Sequence, residues 1–165
     1  MEEWESKWRR NKAKEKTLRA NQQAGESEKK SAFPEKQDII LTKLENFVLR
    51  WNSNDAKGLP SKQIRFEKVQ PHLCRVATIT TRSVSIGDGP PLDTLLELDV
   101  DFDNLNTVIK SSLHPAWHNE SLGEEVILSL AVTPSGSTHF CGSSGPKIEN
   151  GHIVGEILAP LLPYL

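Results

Sequence analysis

The sequence predicts an α+β domain: a small, mostly antiparallel sheet with helices on one face, preceded by a charged helical tail. Three observations carry this. An apolar period near 3.6 over residues 34–55 gives way to a period of two from Gln63 onward. The strand-like runs then follow one another across short turns instead of alternating with helices. A second apolar repeat with helical spacing closes the chain. The expected order after the tail is α-β-β-β-α-β-β-α.

The tail, MEEWESKWRRNKAKEKTLRANQQAGESEKKS, is rich in good helix formers up to about Gln23. Its apolar stripe is thin: Trp4, Trp8, then Leu18. A strict heptad would put Asn11 and Glu15 at the seam, which argues against a long coiled coil. The spacing predicts a solvated or partner-induced helix, followed by a polar linker at residues 24–36, AGESEKKSAFPEK. The division expected is an extension over 1–36 and an α+β domain over 37–165.

In PEKQDIILTKLENFVLRWNSND, Ile40, Leu44, Phe47, Val48 and Trp51 share one helical face, and Pro34 suits a first turn. QIRFEKV alternates as a strand does, and Pro71 breaks it. LCRVATITTRSVSI reads as one long strand or two short ones, and IGDGPPLD as a turn. TLLELDVDF is a further strand. NLNTVIKSSL places Leu105, Val108, Ile109 and Leu113 at helical spacing, with Asp103 or Asn104 as cap. HPAWHNESLG reads as a loop with Trp117 tucked under it. EEVILSLAVT and THFCG, joined by TPSGS, form a hairpin. The final helix carries Ile153, Val154, Ile157, Leu158, Leu161 and Leu162, with a kink at Pro160.

Composition narrows the function classes. Residues 1–36 hold ten of the 20 Lys and Arg and seven acidic residues; residues 37–165 hold ten basic and fifteen acidic. The body is thus a poor wrapper of nucleic acid, and any phosphate contact falls to residues 7–19. Two cysteines 67 positions apart, Cys74 and Cys141, make no disulfide framework. The charged N-terminus is no secretory signal, and no apolar segment is long enough for a bilayer. These features predict an intracellular protein, nuclear or cytoplasmic, with no membrane partner and no cofactor.

The candidate sites are few. In LELDVDFDN, Asp99, Asp101 and Asp103 alternate with core-type residues. Such a row is the wet face of a half-buried strand, or a pair of carboxylates (Asp99 and Asp101, with Asp103 as a third ligand) on a divalent metal. No phosphate-gripping GxxxxGK[ST] or GxGxxG accompanies it, and the calcium-loop pattern fails at its glycine and at Lys110. His114 and His118 have zinc-like spacing, but HExxH and CxxC pairs are absent. Cys141 with His139, and Ser143 with Ser144 in CGSSG, fall short of a nucleophile motif. Along the tail, Lys7, Arg9, Arg10, Lys12, Lys14, Lys16 and Arg19 cluster beside Trp4 and Trp8. Trp4, Trp8, Arg9, Arg10, Lys12, Lys14 and Lys16 are the expected partner-binding residues.

The reading that follows is a non-enzymatic interaction subunit or adaptor that binds other protein subunits. The competing readings are a metal-dependent enzyme acting on a nucleotide or phosphate through Asp99 and Asp101, and a nucleic-acid binder working through the basic tail.

Overall fold

The structure, a computed structural model, describes residues 2–143 and 145–165, without the side chains of residues 21–24. It begins with one 48-residue helix, α1 (Glu3–Arg50), which ends in a widened turn at Trp51–Asp55. Among the described residues eight strands follow: β1 (Ile64–Gln70), β2 (Leu73–Thr78), β3 (Arg82–Val84), β4 (Leu92–Thr94), β5 (Leu96–Asp103), β6 (Val108–Pro115), β7 (Val126–Val132) and β8 (Thr138–Cys141). A short helix, α2 (Ile153–Leu158), closes the chain with a single 3-10 turn at Leu162–Tyr164. No helix among the described residues is long and apolar enough to cross a membrane.

Six strands form one antiparallel sheet in the order β1-β2-β5-β6-β7-β8, and β3 and β4 form a separate hairpin between β2 and β5. Strand alternation sorts the side chains onto two faces. Leu96, Leu98, Val100 and Phe102 of β5 join Cys74 and Val76 of β2, Ile109 and Leu113 of β6, and Leu128 and Leu130 of β7 in the core. The C-terminal half of α1 covers this face through Phe33, Ile40, Leu44 and Val48, spaced as one helical stripe. From α2 and the turn after it, Ile153, Ile157, Leu158 and Leu161 complete the layer, so the last helix seals the core. The fold is therefore the α+β arrangement expected, with both helices on one face.

Three local expectations are corrected. Residues 24–36 form no linker, because α1 runs through them without a break. Pro34 lies inside the helix instead of at its start. It removes one backbone donor, and the Lys30 carbonyl that loses it is on an exposed turn where water can serve it. Phe33, fully buried and edge-on to Phe140 at 6.1 Å, anchors this part of the helix to the sheet.

The second correction is the helix expected over residues 104–113. Asn104–Thr107 make a tight turn and Val108–Pro115 pair with β5 as strand β6, Asp103 facing Val108. Asp103 caps this turn, accepting from the Asn106 backbone N–H at 3.1 Å and from its side chain at 2.8 Å. These bonds, the side-chain one foremost, hold the Asp103 carboxyl below its ordinary pKa. The turn closes on Thr107 at a φ of 53°, a left-handed conformation that strains a β-branched residue. Ser111 then occupies a core-facing position of β6 and is fully buried there; its hydroxyl donates to the Ile157 carbonyl of α2 at 2.6 Å.

The third correction is Trp117, which is 59% exposed and meets the ring of His118 edge-on rather than lying under its loop.

Candidate functional site

Two features carry chemistry: the face of the sheet away from the helices and the N-terminal stretch of α1. On the sheet, Arg75, Glu97, Asp99 and His114 sit on the face away from the helices. The register brings them together, because Arg75 stands opposite Asp99 across β2–β5 and Glu97 opposite His114 across β5–β6. Arg75 Nε donates to Asp99 Oδ1 at 2.7 Å, and His114 Nε2 lies 2.8 Å from Asp99 Oδ2. Glu97 Oε2 is 2.6 Å from the same Arg75 nitrogen. That nitrogen has one proton, already directed at Asp99, so Glu97 Oε2 has the cation beside it but receives no hydrogen bond. The His114 Nδ1 lies 2.8 Å from the Pro115 carbonyl.

The electrostatics follow from this geometry. Both ring nitrogens of His114 face oxygen acceptors, and only the imidazolium can donate at both. Burial opposes its charge, but the Pro115 carbonyl and the Asp99 and Glu97 carboxylates outweigh it and raise the His114 pKa. Burial likewise works against ionised Asp99, yet the bonds from Arg75 and His114 prevail and hold its pKa below the ordinary value. The Asp99 hydrogen bond raises the Arg75 pKa further. Two carboxylates thus face two cations, and the charges balance only while His114 is protonated. Beneath this group, on the core side, burial and then Asp99 push the Cys74 thiol up to about 12, too high for a thiolate nucleophile near neutrality.

This arrangement locks strands together and leaves little for catalysis. Neither His114 nitrogen is left to accept a substrate proton, and both Asp99 oxygens are engaged. Of the aspartate row, Asp101 faces Lys110 across β5–β6 and borders a shallow groove of about 400 Å³ with His72, Phe102, Asp103 and Asn104. Among the described residues, no three of His, Cys, Asp and Glu stand where they could share a metal ion. His118 lies in the loop after β6, where its Nδ1 accepts from the Glu120 N–H at 3.0 Å. Ser144 lies outside the described residues.

Sequence reasoning placed Asp99 on the outer face of its strand but missed the association of Asp99 and Glu97 with Arg75 and His114. The available signal was Arg75, the one cation in LCRVAT, a strand otherwise apolar up to its closing threonine, because partly buried arginines are found with carboxylates.

The second feature is the arm. Side chains 7–20 of α1 are all exposed, and the rise of an α-helix makes residues 3–27 about 37 Å long. Trp4 is 64% exposed, Trp8 56% and Leu18 61%. At helical spacing these three lie on one seam with Asn11 and Glu15 between them. Lys7 and Lys14 flank the seam on one side, Lys12 and Arg19 on the other. Arg9, Arg10 and Lys16 are exposed around the rest of the helix. Arg10 Nε donates to the Ser6 carbonyl at 3.4 Å, and Lys12 lies 3.8 Å from Glu15, both in open solvent where such contacts stabilise little.

No family model, curated protein or solved structure matches this chain.

Proposed function

We propose that the protein is a non-enzymatic interaction subunit of a larger assembly and that the arm is its docking element. One observation carries the reading: two tryptophans on one face of a helix stand in solvent, flanked by exposed cations. Exposed tryptophan is unfavourable in a free protein, whereas at an interface it is the side chain that most often anchors binding. The helix entropy has largely been lost before a partner arrives, because α1 is continuous with its packed C-terminal half. The fitting partner is a protein with an apolar groove rimmed by carboxylates.

The test compares the full chain with its Trp4→Ala/Trp8→Ala variant as baits, followed by reconstitution with each purified partner. The reading expects partners whose affinity falls at least roughly tenfold in the double variant. Equal binding to both baits would refute it.

The exposed cations of residues 7–19 also support a second reading, nucleic-acid binding. It expects affinity for a duplex or single-stranded oligonucleotide that falls steeply with salt. Docking on an apolar, carboxylate-rimmed groove weakens only modestly with salt and is lost in the Trp4→Ala/Trp8→Ala variant, whereas phosphate binding is steeply salt-dependent and survives that variant, so a salt series on both proteins separates the two.

A further inference from the structure

The two edges of the sheet end differently. Beyond β8 the chain folds back on itself. Ile148 N–H donates to the Phe140 carbonyl at 2.9 Å, Gly142 N–H donates to the Pro146 carbonyl at 3.2 Å, and Cys141 bridges to Lys147. At β1 one side chain among the described residues, Asn52, bonds to the edge. The Asn52 amide accepts from Ile64 N–H at 2.9 Å and donates to the Ile64 carbonyl at 2.7 Å.

Those two bonds fix the phase of the strand. Ile64 directs its backbone groups away from β2, and such groups alternate along an antiparallel strand. Phe66 and Lys68 therefore also direct N–H and C=O outward, while Arg65 and Glu67 bond to Ala77 and Arg75. The other side of β2 agrees. Phe102 N–H donates to the His72 carbonyl at 2.7 Å, which turns Cys74 and Val76 toward β5 and Arg75 and Ala77 toward β1. The edge thus presents two outward donors and two outward acceptors, ended on one side by Asn52 and on the other by the register shift between Lys68 and Gln70.

We propose that this edge takes one extended segment of a partner polypeptide as a further antiparallel strand, with an acidic residue opposite Lys68 and an apolar residue opposite Phe66. Backbone pairing supplies affinity and the two facing side chains supply selectivity. Lys68 and Phe66 share a face, and Lys68 has no ion pair among the described residues. Glu67, on the other face, is already held by Arg65 at 2.9 Å. In an antiparallel partner the residue facing Lys68 comes two positions before the one facing Phe66, which gives the pattern acidic-x-apolar.

A second copy of this chain fits poorly. Pairing the two open positions about a two-fold axis sets Glu67 against Glu67, and like charges directly opposite are unfavourable. Sliding until Phe66 meets Phe66 puts Lys68 opposite Ile64, whose backbone groups Asn52 already fills. The inference is independent of the arm and survives if docking through the arm fails.

The experiment selects displayed ten-residue peptides on the full chain and titrates the enriched ones by fluorescence anisotropy against wild type, Lys68→Glu and Lys68→Pro. Lys68→Pro deletes an outward N–H and leaves the β1–β2 ladder intact, so an edge strand tolerates it; melting curves confirm folding of each variant. Enriched peptides should share acidic-x-apolar and bind both variants at least roughly tenfold more weakly. Selection on Lys68→Glu should exchange the acidic residue for a basic one. The proposal is overturned if no peptide enriches or if enriched peptides bind Lys68→Glu as they bind wild type. It is equally overturned if sedimentation shows a wild-type dimer that Lys68→Pro or Lys68→Glu disperses, because the edge then serves self-association.

Discussion

Asp99 divides its two carboxylate oxygens between Arg75 on β2, at 2.7 Å, and His114 on β6, at 2.8 Å, so one side chain ties three neighbouring strands together. Removing charge from the middle of such a group leaves a buried imidazolium and a partly buried guanidinium with one carboxylate between them. Asp99→Asn should destabilise the protein by about 2 kcal/mol, with Asp101→Asn close to neutral as the control. Urea unfolding at pH 6 measures both.

The same group makes stability depend on pH in two windows. His114 has a folded pKa raised above 6.5. The stability it contributes is complete below about pH 6.5 and is lost as pH rises through the raised value. Asp99 has a folded pKa below 3.8. Its contribution is present above that value and disappears as pH falls through the lowered one. Urea midpoints of wild type and His114→Asn should therefore lie furthest apart near pH 5.5 and draw together as pH rises through the raised His114 value. A constant gap across that range would show that His114 acts through packing rather than charge.

Phe33 is fully buried against Phe140, although the neighbouring residues of α1 are mostly polar. Phe33→Ala should cost about 3 kcal/mol, in the usual range for emptying a buried aromatic site. Thermal melting of the full chain checks this. A loss under 1 kcal/mol, on the order of an exposed substitution, would mean that the helix does not hold the sheet at this point.

Ser111 presents a hydroxyl to the core, satisfied by the Ile157 carbonyl at 2.6 Å. Ser111→Ala leaves that carbonyl without its partner and should cost about 1–2 kcal/mol. Amide exchange should show the loss concentrated in α2, which has only six residues and depends on its contacts with the sheet.

The α+β class was legible because the apolar period switches from helical to alternating and strands follow strands. Leu96, Leu98, Val100 and Phe102 could be assigned to the buried face of their strand from alternation alone. Strand β6 was not legible for an identifiable reason. Its core face runs Ile109, Ser111, Leu113, and the serine leaves Val108, Ile109 and Leu113 at a spacing that also fits a helix. The contact that makes this serine acceptable lies 46 residues away, in α2. Similarly, the continuous α1 opposes local cues at Gly25 and Pro34, and Phe33 gains its anchorage only from β8. The association of Arg75 and His114 with Asp99 depends on strand register, which separations of 24 and 15 residues do not encode. Asn52 as a cap on an edge strand was invisible for the same reason.

The unbroken backbone of α1 also gives the protein a crankshaft. Each residue added between Trp8 and Phe33 turns the outer tryptophans by about 100° relative to the sheet and moves them about 1.5 Å outward. Two inserted alanines near residues 19–20 would swing Trp4 and Trp8 to nearly the opposite side, while seven would return them to their original bearing about 10 Å farther out. If the arm and the sheet engage a single rigid partner, the first insertion should disrupt binding and the second should restore its angular match. If both insertions bind as wild type does, the two ends of the molecule work on separate tethers.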